Sequence, residues 1–110
     1  MLEYANNLLF LPVKSKHMTE LEKCRDHIDH IDKELIDLLA RRFRYAERIG
    51  RIKREQGISV LQSARWDNIL SSRREYAIKA GLSEMFTRDF LQLVHSESIR
   101  IQEGINGGND

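Results

Sequence analysis

Hydrophobic positions between about Thr19 and about Gln56 recur in steps of three and four residues. The stripe consists of Leu21, Cys24, Ile28, Ile31, Leu35, Leu38, Ala46, Ile49 and Ile52. This period predicts one amphipathic helix, with Thr19 as its N-cap and Gly57 at its end. At 1.5 Å per residue the helix would be roughly 55 Å long. A chain this short cannot cover such a stripe alone, so the pattern calls for a second polypeptide.

Two shorter helices are predicted after a loop at about residues 57–60. The second helix, from about Gln62 to Ala80, has an apolar side of Trp66, Ile69, Leu70, Tyr76 and Ala77. The third, from its N-cap Ser83 to about Glu103, has an apolar side of Phe86, Phe90, Leu91, Val94 and Ile101. No alternating strand pattern is found. The prediction is an all-α fold, with one long and two shorter helices per chain in a homodimeric helical bundle.

The ends of the chain are expected to lie outside the folded domain. We predict an extension at residues 1–17, a domain at 18–104 and a flexible tail at 105–110.

The composition of the chain favours long helices, because charged residues make up 32% of it and it has a single proline. The net charge of +1 gives no global attraction to nucleic acid or membrane. One cysteine, Cys24, fits a reducing compartment, so a cytoplasmic protein is expected.

Several polar residues interrupt the apolar faces. Arg42 and Lys53 are 11 residues apart, which places them about 20° apart around one helix and roughly 16 Å apart along it. Ser98 and Gln102, at i and i+4, lie on the apolar line of the third helix, and Arg65 brings a further cation from the second. Three helices thus direct hydrogen-bonding groups inwards, which predicts a pocket for a small polyanion.

Each of these residues also has an ordinary structural interpretation. Lys53 and Arg65 could extend to water from helix ends, and Arg42 could pair with an acidic residue of a neighbouring helix. Ser98 and Gln102 alone could be plain polar positions. The pocket is favoured because it explains all of them together.

Other candidate sites are weaker. His27 and His30, with Asp26 and Asp29, spread over too wide an arc of one helix to bind a metal, so a solvated face is expected. The sequence has no glycine-rich phosphate loop and no serine–histidine pair in a nucleophile setting. An enzyme of this sequence would therefore work without nucleophile, metal or cofactor.

Four segments of the chain follow the motifs of one known family, in the same order. Residues 24–35 are similar to an opening arginine–isoleucine–aspartate pattern, and residues 38–42 to a Leu-Leu-Ala-x-Arg block. Ile49-Gly50-Arg51-Ile52-Lys53 resembles an Ile-Gly-x-x-Lys block, and residues 98–102 a closing Ser-x-x-x-Gln. From about Leu21 to Gln102 the chain thus resembles the all-α chorismate mutase family. The resemblance implies an intertwined homodimer that isomerises chorismate to prephenate, with no cofactor.

The resemblance also implies a role for each candidate residue. Arg42 would hold a substrate carboxylate, as would Arg25, which would come from the partner chain. Lys53 and Gln102 would bind the ether oxygen. The remaining carboxylate contacts would come from Arg65 and Ser98. The spacing supports the crossing of Arg25, because its 17 residues from Arg42 correspond to roughly 25 Å along a helix.

Two positions depart from the family pattern. Trp66 stands where many members have a glutamate that contacts the substrate hydroxyl, and Gln62 stands where an aspartate is frequent. Gln62 is a possible substitute for that contact. The departures keep open an isochorismate-pyruvate lyase of the same fold, and a non-catalytic helical dimerisation module is a further alternative. Docking onto another shikimate-pathway enzyme is also left open.

Overall fold

A computed structural model describes residues 17–106, which form three helices. Helix α1 spans Glu20–Gln56, α2 spans Ser63–Lys79 and α3 spans Glu84–Asn106. The predicted all-α class is confirmed, and the predicted ends agree to within a residue except that α3 continues three residues past Glu103. Residues 1–16 of the expected extension, and residues 107–110 of the expected tail, lie outside the described part of the chain.

Local side-chain caps explain where two of the helices begin. Thr19 and Glu22 form a capping box at the start of α1, in which each backbone N–H donates to the other side chain at 3.1 Å. Ser83 caps α3 by accepting a hydrogen bond from the Phe86 N–H, also at 3.1 Å. Both N-caps match the sequence prediction.

Glycine residues with positive φ angles end α1 and α2. Gly57 has a φ of 66° and Gly81 a φ of 93°, values that only glycine adopts without strain. After Gly57 the Ile58 N–H donates to the Lys53 carbonyl at 2.8 Å, and after Gly81 the Leu82 N–H donates to the Ala77 carbonyl at 3.0 Å. These are Schellman bonds, and they reverse the chain sharply enough to begin the next segment.

By its internal contacts the chain divides into two units, Met1–Leu39 and Ala40–Asp110. In the first unit the described residues are the N-terminal part of α1. Its apolar stripe of Leu21, Ile28, Ile31, Leu35 and Leu38 is between 48% and 58% exposed. Cys24, which belongs to the same stripe, is exposed as well.

The second unit contains the rest of α1 with α2 and α3. Its buried apolar residues within the described chain are Ala46, Ile69, Ala77 and Val94. Four residues of this unit that were assigned from the sequence to apolar sides are exposed in the single chain: Ile49 at 44%, Ile52 at 41%, Phe86 at 56% and Tyr76 at 78%. Helical periodicity shows which side chains share a face, but not which of them another helix of the same chain covers.

Close packing at Gly50 brings α1 against α3. A methyl group added at Gly50 would lie 3.1 Å from the Gln102 Cα and 3.2 Å from the Ile105 Cδ1. The missing side chain therefore lets the two backbones approach at the level of Lys53 and Gln102.

Candidate functional site

A cavity of about 360 Å³ opens within the second unit, between the C-terminal part of α1, the loop after it, α2 and α3. Its cationic lining residues are Arg42, Lys53, Arg65 and Arg73. Its other polar lining residues are Tyr45, Gln62, His95, Ser98 and Gln102. The cavity has the size of a small-molecule site.

Arg42 and Ser98 meet at one part of the cavity. The Arg42 Nη1 donates a hydrogen bond to the Ser98 Oγ at 2.8 Å. Ser98 is buried, so its hydroxyl has little access to water as an alternative partner. The contact fixes the plane of the guanidinium, which has further N–H donors in a fork suited to a carboxylate.

Lys53 and Gln102 meet at another part of the cavity. The Lys53 Nζ donates to the Gln102 Oε1 at 2.8 Å and to the Val60 carbonyl at 2.6 Å. An ammonium group has three donors, so these two bonds hold the group in place and leave a third N–H to point elsewhere. Gln102 is buried.

The electrostatics of the cavity favour an anion. Burial, followed by repulsion from Arg73 and then Arg65, lowers the pKa of Arg42. Burial also lowers the pKa of Lys53. None of the lining residues, all of which belong to the described chain, is Asp or Glu. Four cations therefore share a partly buried space without an anionic counterpart from the cavity wall. A bound polyanion would offset both the free-energy cost of burying these charges and their mutual repulsion.

An aromatic pair stands beside these cations. The rings of Trp66 and His95 stack with centroids 4.0 Å apart and an interplanar angle of 16°. His95 lines the cavity, whereas Trp66 does not. The indole thus supports the imidazole from behind the cavity wall.

The structure brings six of the seven predicted site residues together. The residues that line this one cavity are Arg42, Lys53, Gln62, Arg65, Ser98 and Gln102. Arg25 belongs to the other unit of the chain and is not among the lining residues. Its proposed contribution from a partner chain stays a prediction.

Sequence reasoning missed Arg73 and His95. Arg73 follows Arg65 and Ile69 in four-residue steps along α2, and His95 lies three residues before Ser98. Both spacings place the residue on the face that carries the predicted site, so the signal was present in the sequence.

The other candidates behave as surface groups in the described structure. Between residues 17 and 106 no group of three His, Cys, Asp or Glu side chains could hold a metal ion. His30 forms a hydrogen bond at 2.9 Å with the Asp26 carbonyl of its own helix.

None of the helices between residues 17 and 106 is both long and apolar enough to cross a membrane.

Comparison with known families gives a match over most of the chain. The profile of the family described as chorismate mutase type II matches residues 24–103. The chain belongs to this chorismate mutase family. The family predicted from the four sequence segments is thereby confirmed.

Two curated relatives match this chain over a small part of their own length. The T-protein of Enterobacter agglomerans is 36% identical over 81 residues, which cover 74% of this chain and 22% of that protein. The T-protein of Haemophilus influenzae is 35% identical, also over 81 residues that cover 74% of this chain and 22% of that protein. The chain thus spans about a fifth of the length of these relatives.

A third relative matches this chain over most of the length of both proteins. The 4-amino-4-deoxychorismate mutase of Streptomyces venezuelae is 29% identical over 84 residues, which cover 76% of this chain and 82% of that protein. No solved structure matched the chain significantly.

Proposed function

We propose that this chain is a chorismate mutase, which rearranges chorismate to prephenate for phenylalanine and tyrosine biosynthesis. The observation that carries the proposal is the cavity wall: its cations are Arg42, Lys53, Arg65 and Arg73, and none of its lining residues within the described chain is Asp or Glu. Chorismate has two carboxylates, an enol ether oxygen and a ring hydroxyl. Its charge complements this wall.

The carboxylates are bound by arginines. Arg42, oriented by Ser98, presents its remaining N–H donors to one carboxylate. Arg65 and Arg73 add positive charge from α2. Binding through fixed forks holds the flexible substrate in the compact shape in which the two reacting carbons approach, and this ordering contributes to the rate.

The ether oxygen is bound by Lys53 and Gln102. In the rearrangement the C–O bond of the ether breaks while a C–C bond forms, and negative charge grows on the oxygen. The third N–H of Lys53 and the NH₂ group of Gln102 donate to that oxygen, more strongly in the transition state than in the ground state. No proton changes place in this reaction, so the residues need only bind and polarise.

A second copy of the chain completes the site. The exposed stripe from Leu21 to Leu38 supports dimerisation, because a row of large apolar side chains on one helix favours a partner helix. In an intertwined homodimer, Arg25 of the second copy supplies the remaining carboxylate contact. Cytoplasmic localisation and association with another shikimate-pathway enzyme stay predictions.

A second candidate substrate is 4-amino-4-deoxychorismate, named in the relative from Streptomyces venezuelae, of which this chain covers 82%. The amino group of such a substrate is an ammonium cation near neutral pH. Inside a cavity with four cations and no carboxylate in its described wall, that group is repelled. The wall therefore favours chorismate.

The proposal is tested by measuring which of three substrates the purified protein converts. Purified protein is incubated separately with chorismate, 4-amino-4-deoxychorismate and isochorismate, and the products are identified by chromatography and mass spectrometry. Prephenate formed faster from chorismate than any product from the other two supports the proposal. Faster rearrangement of the amino compound would make that the substrate, and faster release of salicylate and pyruvate from isochorismate would make the chain a lyase.

A further inference from the structure

The second unit contains a hydrogen-bonding group that the proposed function does not use, the His95 imidazole. It is half-buried, lines the cavity, and stacks on Trp66 with ring centroids 4.0 Å apart. Stacking occupies ring faces, so the two edge nitrogens are the atoms left for hydrogen bonding. Within residues 17–106 no hydrogen bond from another residue reaches this imidazole.

The charges around His95 keep it neutral. Burial, followed by the positive charges of Arg42 and Lys53, lowers its pKa. Arg65 and Arg73 of α2, which line the same cavity, also present only positive charge to it. A neutral imidazole has one N–H donor and one nitrogen acceptor, whereas the surrounding cations can only donate.

Acceptors are scarce in this cavity. The oxygens of Ser98, Gln102 and Val60 already accept hydrogen bonds from Arg42 or Lys53. Among the other lining residues, Tyr45 is 54% exposed and Gln62 is exposed at the start of α2. His95 is the acceptor that is both half-buried and held rigidly by a neighbouring ring.

We propose that His95, held by its stack on Trp66, accepts a hydrogen bond from the ring hydroxyl of the substrate and makes the enzyme selective for a hydroxylated ring. This inference rests on the proposed function and assigns the ring hydroxyl, the polar group of chorismate that the residues proposed for the two carboxylates and the ether oxygen leave unbound. A ring without the hydroxyl leaves the imidazole acceptor without a partner.

The test compares two substrates in three proteins. The substrates are chorismate and an analogue with hydrogen in place of the ring hydroxyl. The proteins are the wild type, His95→Phe, which keeps an aromatic ring on Trp66 without nitrogen atoms, and Gln62→Met, which removes the competing candidate for the hydroxyl contact. The ratio of kcat/KM for the two substrates removes effects on folding and any difference in intrinsic reactivity that all three proteins share.

We expect His95→Phe to lower the preference for chorismate about tenfold, the size of one buried neutral hydrogen bond. Gln62→Met should leave the preference within about twofold. An unchanged ratio in His95→Phe, or loss of the preference in Gln62→Met, would overturn the assignment to His95. A wild type that is inactive on both substrates would instead overturn the proposed function, and this inference with it.

A second measurement reports on His95 without catalysis. Trp66 is the sole tryptophan of the chain, and a protonated imidazole stacked on an indole quenches its fluorescence. Emission should therefore fall as the pH is lowered through the pKa of His95. With a bound unreactive dicarboxylate that has a ring hydroxyl, the midpoint of that fall should lie at lower pH than with the same dicarboxylate without the hydroxyl, because a hydrogen bond to the neutral imidazole opposes its protonation. The step should be absent in His95→Phe. Equal midpoints with the two bound dicarboxylates would contradict contact with His95.

Discussion

The ammonium of Lys53 and the amide oxygen of Gln102 lie 2.8 Å apart, across the junction of α1 and α3. Both side chains come from the last third of their helices, so the contact depends on the packing of the two helices as much as on the residues themselves. Because the Val60 carbonyl holds the same ammonium at 2.6 Å, the position of Lys53 is fixed from two directions.

Removal of Lys53 should be costly to catalysis. Lys53→Ala should lower kcat/KM for chorismate by roughly 10²- to 10³-fold, about 3–4 kcal/mol, the loss typical of one donor to a developing oxyanion. Lys79→Ala is the matched control, because Lys79 is exposed in the last turn of α2 and does not line the cavity. Steady-state kinetics measures both. Equal activity in the two variants would remove Lys53 from the mechanism.

The fall of kcat/KM at alkaline pH should reflect deprotonation of the Lys53 ammonium. Burial lowers the pKa of Lys53 and the reaction needs the charged form, so kcat/KM should fall as the pH rises through that lowered pKa. A bound dianion raises this pKa, so the limb of kcat should lie at higher pH than that of kcat/KM. Lys53→Arg, which stays charged, should lose the limb. Its persistence in the arginine variant would assign it to another group.

Gln102 should make the acid side of the profile flat. An amide donates at any pH, so activity should not change steeply between mildly acidic and neutral pH. Gln102→Glu should instead give an acidic optimum, because an ionised carboxylate repels the charge that grows on the ether oxygen. Rate measurements over pH 4–8 compare the two proteins. A variant as active at neutral as at acidic pH would show that residue 102 does not contact that oxygen.

Arg25 should act across the dimer. Arg25→Ala and Arg42→Ala should each be nearly inactive as homodimers, because each lacks one carboxylate contact in both sites. After chain exchange, one site of the heterodimer would carry both arginines and activity should reappear. Native mass spectrometry verifies the exchange. Verified heterodimers without activity would mean that Arg25 and Arg42 do not serve one shared site.

The exposed stripe of α1 should be the dimer interface. Leu35→Asp should produce an inactive monomer in sedimentation velocity at micromolar concentration, since a charge would be buried against an apolar partner. Leu93→Asp on α3 is the control, because Leu93 is 71% exposed and lies outside this stripe. An active wild-type monomer would exclude the shared-site arrangement.

Local chemistry made much of the fold predictable. The caps at Thr19 and Ser83 and the stops at Gly57 and Gly81 depend on residues within one turn, so sequence spacing located them. The positions of Arg42 and Lys53 on one face followed from helical periodicity in the same way. The six residues gathered at the cavity include both of these.

Some of the features that sequence spacing missed depend on contacts between helices. The exposure of Tyr76 and Phe86 depends on which side chains another helix covers, and no local pattern encodes that. The Trp66–His95 stack likewise joins two helices, so neither residue alone indicated it. Arg73 could have been found by continuing the Arg65–Ile69 line by one more step.

Gly50 sets stability and activity against each other. In a helix interior alanine is favoured over glycine by about 0.8–1.0 kcal/mol, so Gly50→Ala should make α1 itself a better helix. The added methyl group would nevertheless stand 3.1 Å from the Gln102 backbone, and α3 would have to retreat, taking the amide away from Lys53. The absence of a side chain at Gly50 therefore sets the distance between Lys53 and Gln102. Alanine at this position would stabilise the first helix but give a wider and slower active site.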